Sequence, residues 1–282
     1  MVRKDRGGEQ YSTVNKSARG SRMVLWAVIA AGAVALVAVG SRVRDRDSRV
    51  FRAASLSLGA FLPAPRPSES VRFPFVEQFS GGRLSDAWRW RERDALYVKV
   101  DGGSLIADAS RESVWWMNKR GPFVHLPIAG NVEIVSHVRV RRASDPMLAP
   151  DREWQFAGLM LRSDIGDRPL SLENYVFVVI GHRGSSLQAE FKSTRNGDSD
   201  VGSVPWPDGD AELRLVRSGA TITAEIRTPG DSLWHVLKEY HRPDLPLELQ
   251  AGLIVYAYSE GRGVFDLRAM FSSVVVQLPA SE

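Results

Sequence analysis

The sequence predicts an all-β fold, an antiparallel β-sandwich of jelly-roll type, preceded by one N-terminal transmembrane helix. Three observations carry this. Met23–Gly40 runs eighteen residues without a charge. From Phe73 onward, short segments alternate apolar and polar residues, with Gly, Asn, Asp and Pro between them, the pattern of strands with one buried face. After Ser70 no stretch keeps a helical period over three turns, so crossover helices are not expected and the strands must pair as a sandwich.

In chain order, residues 1–22 read as a basic tail. Residues 23–40 come next; at ~1.5 Å per residue a helix of this length covers roughly 27 Å, close to the ~30 Å hydrocarbon core of a bilayer. The run exceeds the 7–15 apolar residues of an ordinary signal-peptide core, which favours an uncleaved signal-anchor. Ala38-Val39-Gly40 supplies the rival reading, cleavage before Ser41 and a secreted product, but five arginines follow in Ser41–Arg52. Four Lys/Arg lie close on the N-terminal side of the run and five on the other, so the positive-inside rule leaves the orientation open. Residues 41–72 are a linker, first basic and then rich in proline (Pro63, Pro65, Pro67), an extended spacer.

The sandwich is expected over 73–278, with 279–282 as a tail. In Val132–Arg141, Val132, Ile134, Val138 and Val140 share one face and Glu133, His137, Arg139 and Arg141 the other. Leu187, Ala189 and Phe191 oppose Gln188, Glu190 and Lys192, and Ile222, Ala224 and Ile226 oppose Thr221, Thr223, Glu225 and Arg227. Gly102-Gly103, Asn196-Gly197, Ser218-Gly219 and Pro229-Gly230 are the turns between such segments. Gln155–Leu161 and Gln250–Val255 each read as a Gln-led, mostly apolar central strand whose glycine admits a close neighbour.

Charge and composition narrow the partners. Residues 1–52 carry eleven Lys/Arg against four Asp/Glu, whereas the remainder carries 26 against 29. The excess base flanks the apolar run, where it suits lipid headgroups, and the expected partners exclude nucleic acid, which would need that charge on the folded domain. The chain has no cysteine, which removes disulfides, thiolate metal sites and cysteine nucleophiles.

Several motifs together resemble the concanavalin A-like lectin/glucanase sandwich, and within it the laminin-G-like modules and the C-terminal sandwich of family-43 glycosidases. They are Phe75–Gly82 with Leu84 and Trp88, Tyr97–Ile106, Ala157–Arg162 with Glu173–Val176, Pro229–Trp234 and Gln250–Leu253. The resemblance spans about 73–278 and implies an exported or surface location and a lectin-like role, with carbohydrate or an envelope protein as partner. Fold alone does not give function.

The resemblance also says what catalysis would look like: paired carboxylates on one strand, as E-x-D-x-x-E, holding the ~5–5.5 Å separation of a retaining mechanism. The chain has no such motif, so the expectation is a non-enzymatic, membrane-tethered ectodomain. A scaffolding envelope protein and a divergent glycosidase are the alternatives. No cofactor is expected. For the structural calcium that such sandwiches often carry, Glu77 and Asp266 are the weak candidates, because the closing strand reads Phe271-Ser272-Ser273 and lacks the family's acid. The five histidines lack ligand spacing.

For a sugar site, Trp154, Arg162, Tyr175, Gln188 and Glu190 supply an indole and polar partners if their strands are neighbours. Trp206, in Pro205-Trp206-Pro207, is the loop candidate. Core packing is the competing role for each tryptophan. Of the adjacent pair Trp115 and Trp116, one is expected to face outward.

Overall fold

The computed structural model describes residues 71–280 except 117, 118, 167 and 264. The expected tail 1–22, the helix 23–40 and the linker as far as residue 70 lie outside the described residues, as do residues 281 and 282. Among the described residues no helix is long and apolar enough to cross a membrane.

The described chain is all strand and turn apart from two short 3₁₀ segments. Its strands are β1 (Phe75–Glu77), β2 (Arg89–Arg91), β3 (Leu96–Asp101), β4 (Ser104–Ala109), β5 (Phe123–Ala129), β6 (Val132–Arg141), β7 (Gln155–Arg162), β8 (Tyr175–Arg183), β9 (Ser186–Arg195), β10 (Asp198–Pro205), β11 (Asp210–Ser218), β12 (Thr221–Arg227), β13 (His235–His241), β14 (Glu248–Ala257) and β15 (Arg268–Gln277). They form two antiparallel sheets. One runs β13-β12-β11-β6-β15-β4-β3 with β1 beside β15, and the other runs β10-β9-β8-β7-β14-β5-β2. The hairpins follow their turn residues: Gly102 and Gly103 (φ 57° and 73°) join β3 to β4, and Asn196 and Gly197 (φ 49° and 81°) join β9 to β10. Two successive positive φ angles match the twist of the flanking strands.

The inward residues of both sheets make the main core, with Val138, Leu213 and Phe271 from the larger sheet meeting Leu159, Val178 and Leu253 from the other. In β6 the apolar alternation skips Ser136. Its buried hydroxyl donates to the Ser273 carbonyl at 2.6 Å, beside the irregularity where β15 shifts register between Phe271 and Val274. A polar side chain stands in the core there because the bulge leaves a carbonyl to satisfy.

β7 and β14 lie side by side at the middle of the seven-stranded sheet, with Gly158 opposite Ile254 and Gly252 opposite Met160. A Cβ on Gly158 would lie 2.1 Å from the Val178 carbonyl oxygen and 2.9 Å from Leu213 Cδ1 of the other sheet. On Gly252 it would lie 2.0 Å from the Val124 carbonyl oxygen. Both glycines are there because a neighbour is.

One departure from the one-buried-face pattern matters for function. On the outer side of the seven-stranded sheet a second cluster forms from Phe123, Phe156, Met160, Tyr175, Phe177 and Tyr256, with Trp115 over it. β7, β8 and β14 are therefore buried on both faces, which explains their nearly unbroken apolar runs.

Candidate functional site

The outer face of the seven-stranded sheet is set by strand parity. Ala189 and Phe191 point into the main core, so Gln188, Glu190 and Lys192 project to the other side. By the same parity Tyr175 and Phe177 of β8 and Tyr256 of β14 face outward beneath Trp115. The segment between β4 and β5 crosses this face and lays Trp115 edge-on against Phe123 and Tyr175, with ring centroids 6.1 and 5.6 Å away. Trp115 is 1 % exposed and its neighbour Trp116 is 45 % exposed.

Beside this plug lies an open cleft of about 350 Å³. Its walls are largely aromatic and charged: Trp116, Trp154 and Tyr258 stand with Arg183, Glu190 and Lys192, and Tyr256, Lys119 and Glu260 are among the other lining residues. Two of the wall residues have left-handed backbones, Trp154 (φ 60°) and Glu260 (φ 53°). Such a conformation costs of order 1 kcal/mol or more for a non-glycine residue and concentrates at functional sites. The Trp154 carbonyl accepts from Tyr258 N–H at 3.1 Å, which ties the two ring-bearing segments together.

The charges are arranged unevenly. Glu190 accepts from Arg183 at 3.2 Å and from the Tyr256 hydroxyl at 3.4 Å. Burial pushes its carboxyl above the usual range, while Arg183 and Lys192 pull it back. Burial, together with the charge on Glu190, pushes the Tyr256 phenol well up. The Arg183 guanidinium lies 4.7 Å over the Trp154 ring, and Lys119 Nζ 4.8 Å over Tyr258.

Lys192 is 1 % exposed. Its ammonium donates to the Trp115 carbonyl at 2.5 Å and lies 4.4 Å from the Trp116 ring and 5.5 Å from those of Tyr175 and Phe177. Burial brings its pKa down to about 7, with Glu190 acting the other way.

Of the six residues expected to bind sugar, Trp154 and Glu190 line this cleft. Arg162 is 0 % exposed; it grips Glu173 at 2.9 and 2.7 Å and Gln250 at 2.6 Å. Arg120 also bonds to Glu173. Tyr175 is buried under Trp115 and donates to its carbonyl at 3.3 Å. Gln188 stands half-buried farther along β9, between Gly181 and Pro205 of the flanking strands. Trp206 is no free loop side chain: it packs against the main core and its indole donates to the Asp210 carbonyl at 3.0 Å. Proline on both sides predicts a loop but says nothing of where the ring goes.

Lys119, Arg183, Lys192, Tyr256 and Tyr258 also line the cleft, and none of them is among the site residues expected from the sequence. For Lys192 the signal was present, since it shares the alternating face with Glu190.

The two calcium candidates stand apart in their bonding. Glu77 accepts from the Phe79 and Ser85 amides and the Trp88 indole, each at 3.2 Å, and so fixes the turn after β1. Asp266 accepts from Ser144 N–H at 2.7 Å and Oγ at 2.6 Å. Among the described residues no group of three or more His, Asp or Glu gathers as a metal cluster.

No protein-family model matches the chain, and no curated protein matches it by sequence. Solved structures do. A functionally unknown protein from Saccharomyces cerevisiae is 15 % identical, with a TM-score of 0.56 over 69 % of this chain and 98 % of that one. A GH43 protein from Bacillus licheniformis is 12 % identical, with a TM-score of 0.55 over 72 % of this chain and 39 % of that one. The GH43B protein of a Bacteroides ovatus xyloglucan locus is 17 % identical, with a TM-score of 0.54 over 78 % and 42 %. The chain thus spans about two fifths of the length of these GH43 proteins. At such identities the likeness shows the fold: a concanavalin A-like sandwich.

Proposed function

We propose that this chain is a non-catalytic carbohydrate-binding ectodomain, held at a membrane by residues 23–40 and exposed on the outer side of it. The observation that carries the reading is the cleft on the outer face of the seven-stranded sheet, where Trp116, Trp154 and Tyr258 stand with charged side chains. Sugar rings offer apolar C–H faces to indole and phenol rings, while their hydroxyls need polar partners such as the charged and phenolic groups that line this cleft. Trp154 packs one side of its ring against the second cluster and lines the cleft from a left-handed backbone, a conformation that concentrates at functional sites.

The test is retention of the full 282-residue chain on a panel of immobilised plant, fungal and bacterial polysaccharides. Retention that is lost in Trp154→Ala, with folding intact by circular dichroism, supports the reading. Failure to bind any polysaccharide sinks it and favours the alternative of a scaffold that binds an envelope protein, which crosslinking would recover.

A second reading, a divergent glycoside hydrolase, has one specific support. Glu190, whose carboxyl is pushed up by burial, and Glu260 line the same cleft, and a raised carboxyl beside a second one is the acid–base arrangement of glycosidases. Against it, Glu260 is exposed and paired with Arg262 at 2.9 Å, and Glu190 has both oxygens engaged. Release of reducing ends from a retained polysaccharide, abolished by Glu190→Gln, would establish catalysis.

A further inference from the structure

We infer that the cleft selects acidic saccharides, chains bearing carboxylate or sulfate groups, with the Lys192 ammonium on its floor and Lys119 at its rim receiving the negative charge. This rests on the carbohydrate-binding reading and names the ligand class for that site.

Arg183 is answered by Glu190 and Glu260 by Arg262. Lys119 and Lys192 face the same cleft with no carboxylate at ion-pair distance among the described residues. Lys192 has three donors and one is used, on the Trp115 carbonyl. A neutral sugar site would be served by amide or hydroxyl groups, without the desolvation that a buried ammonium entails. An ammonium kept in such a place, ringed by Trp116, Tyr175 and Phe177, is best completed by an anion that arrives with the ligand.

The cleft also continues. A neighbouring depression of about 320 Å³ is bordered by Glu112, Ser113, Val114, Lys119, Arg120 and Tyr258. Arg120 Nη2 and the Ser113 hydroxyl lie buried beside it without a partner among the described residues. Glu112 is occupied with Ser259 and the Gly261 amide. Lys119 and Tyr258 border both spaces, so a chain with acidic groups on successive sugars can meet a cation in each.

Protonation is linked to this contact. The groups facing Lys192 are Glu190 on its own strand, Tyr175 and Phe177 on β8 with Arg183 at its end, Val201 opposite on β10, Tyr256 on β14, and Lys119 and Glu260 on the covering loops. Binding an anion favours the charged amine, so affinity for an acidic chain is greatest below about pH 7 and falls as Lys192 loses its proton above it. Ionisation of Glu190 opposes the anion in the same direction; Glu190→Gln removes that contribution and, because Glu190 holds the Lys192 pKa up, moves the remaining fall to lower pH.

The experiment uses the full chain, purified in detergent, on paired probes that differ only in charge: polygalacturonate with its carboxyl-reduced form, and ι-carrageenan with its desulfated form, in 0.15 M salt. The expected result is at least tenfold tighter binding of one or both charged members at pH 6, narrowing about tenfold by pH 8.5, with the polygalacturonate and carrageenan arms separating carboxylate from sulfate. Lys192→Met brings the pair within about twofold, and Lys119→Ala, at an exposed position, cuts the preference several-fold without disturbing the fold. Equal binding of charged and neutral members overturns acidic selectivity and leaves carbohydrate binding standing. Retention of charged probes that survives Lys192→Met, Lys119→Ala and Trp154→Ala assigns it to the basic flanks and overturns the inference. If the paired probes and the wider polysaccharide panel are all left unbound, both readings fall.

Discussion

Replacing Lys192 by Met should make the protein more stable, and the gain should shrink as pH rises. The side chain is buried among three aromatic rings, and burial lowers its pKa from 10.5 to about 7. The unfolded chain therefore holds a proton between pH 7 and 10.5 that the folded chain has released, and stability must increase with pH across that window. At ~1.4 kcal/mol per pH unit the whole gap is worth about 5 kcal/mol, an upper bound. Between pH 7 and pH 9 the wild type should gain about 2 kcal/mol from this group, since the folded amine is half protonated at the start. Met has a similar volume, and the Trp115 carbonyl keeps its hydrogen bond from Tyr175, so the variant leaves no orphaned acceptor. The assay is urea denaturation of both proteins at pH 7, 8 and 9. The variant should lead at pH 7 and its lead should fall by about 2 kcal/mol at pH 9. A wild type whose stability is flat or declining over this range relative to Lys192→Met would refute the reasoning, because the amine would then not be desolvated in the fold.

Three further perturbations probe the scaffold. Trp115→Ala removes the residue that covers the second cluster and should cost about 3–5 kcal/mol in denaturant unfolding; a cost under 1 kcal/mol would mean that the cluster is not a packed core. Gly158→Ala puts a Cβ 2.1 Å from the Val178 carbonyl oxygen and should cost about 3 kcal/mol or prevent folding, whereas Gly219→Ala, in open space with φ +58°, should cost about 1 kcal/mol from backbone strain alone. Glu173→Gln leaves Arg162 and Arg120 without their shared carboxylate and should destabilise by about 3 kcal/mol in denaturant unfolding.

The sandwich is legible in the sequence because most of its strands have one wet face. β6 shows it: Val132, Ile134, Val138 and Val140 are all buried, and on the outer side Glu133 and Arg139 take part in ion pairs while His137 hydrogen-bonds Asp210. Where both faces are covered the two-residue period disappears, as in Tyr175–Ile180, and nothing local tells which residue looks toward Trp115. The site suffered from the same cause. Tyr175 and Arg162 stand on neighbouring strands of the proposed face, but the β4–β5 segment lies over them, and a loop's path across a sheet is a long-range fact. Trp206 lies in the loop its prolines predict, with its indole bonded to the Asp210 carbonyl four residues on and its ring against the main core, a direction the proline pattern does not encode. Lys192 was readable in position but not in burial. A lysine in alternating register with Glu190 passes for a solvated face until the strand is seen to have a roof.

Covering the centre of one sheet on both sides has a mechanical consequence. Amides of β7, β8 and β14 cannot reach water without opening one hydrophobic cluster or the other, so their hydrogens should exchange only through unfolding of the whole domain. The floor residues Glu190 and Lys192 stand beside that rigid centre, whereas Trp116 and Glu260 sit on connecting segments. In the site proposed above, an incoming saccharide would meet charges carried on strands and rings carried partly on connecting segments, so little ordering entropy would be spent on the contacts that discriminate.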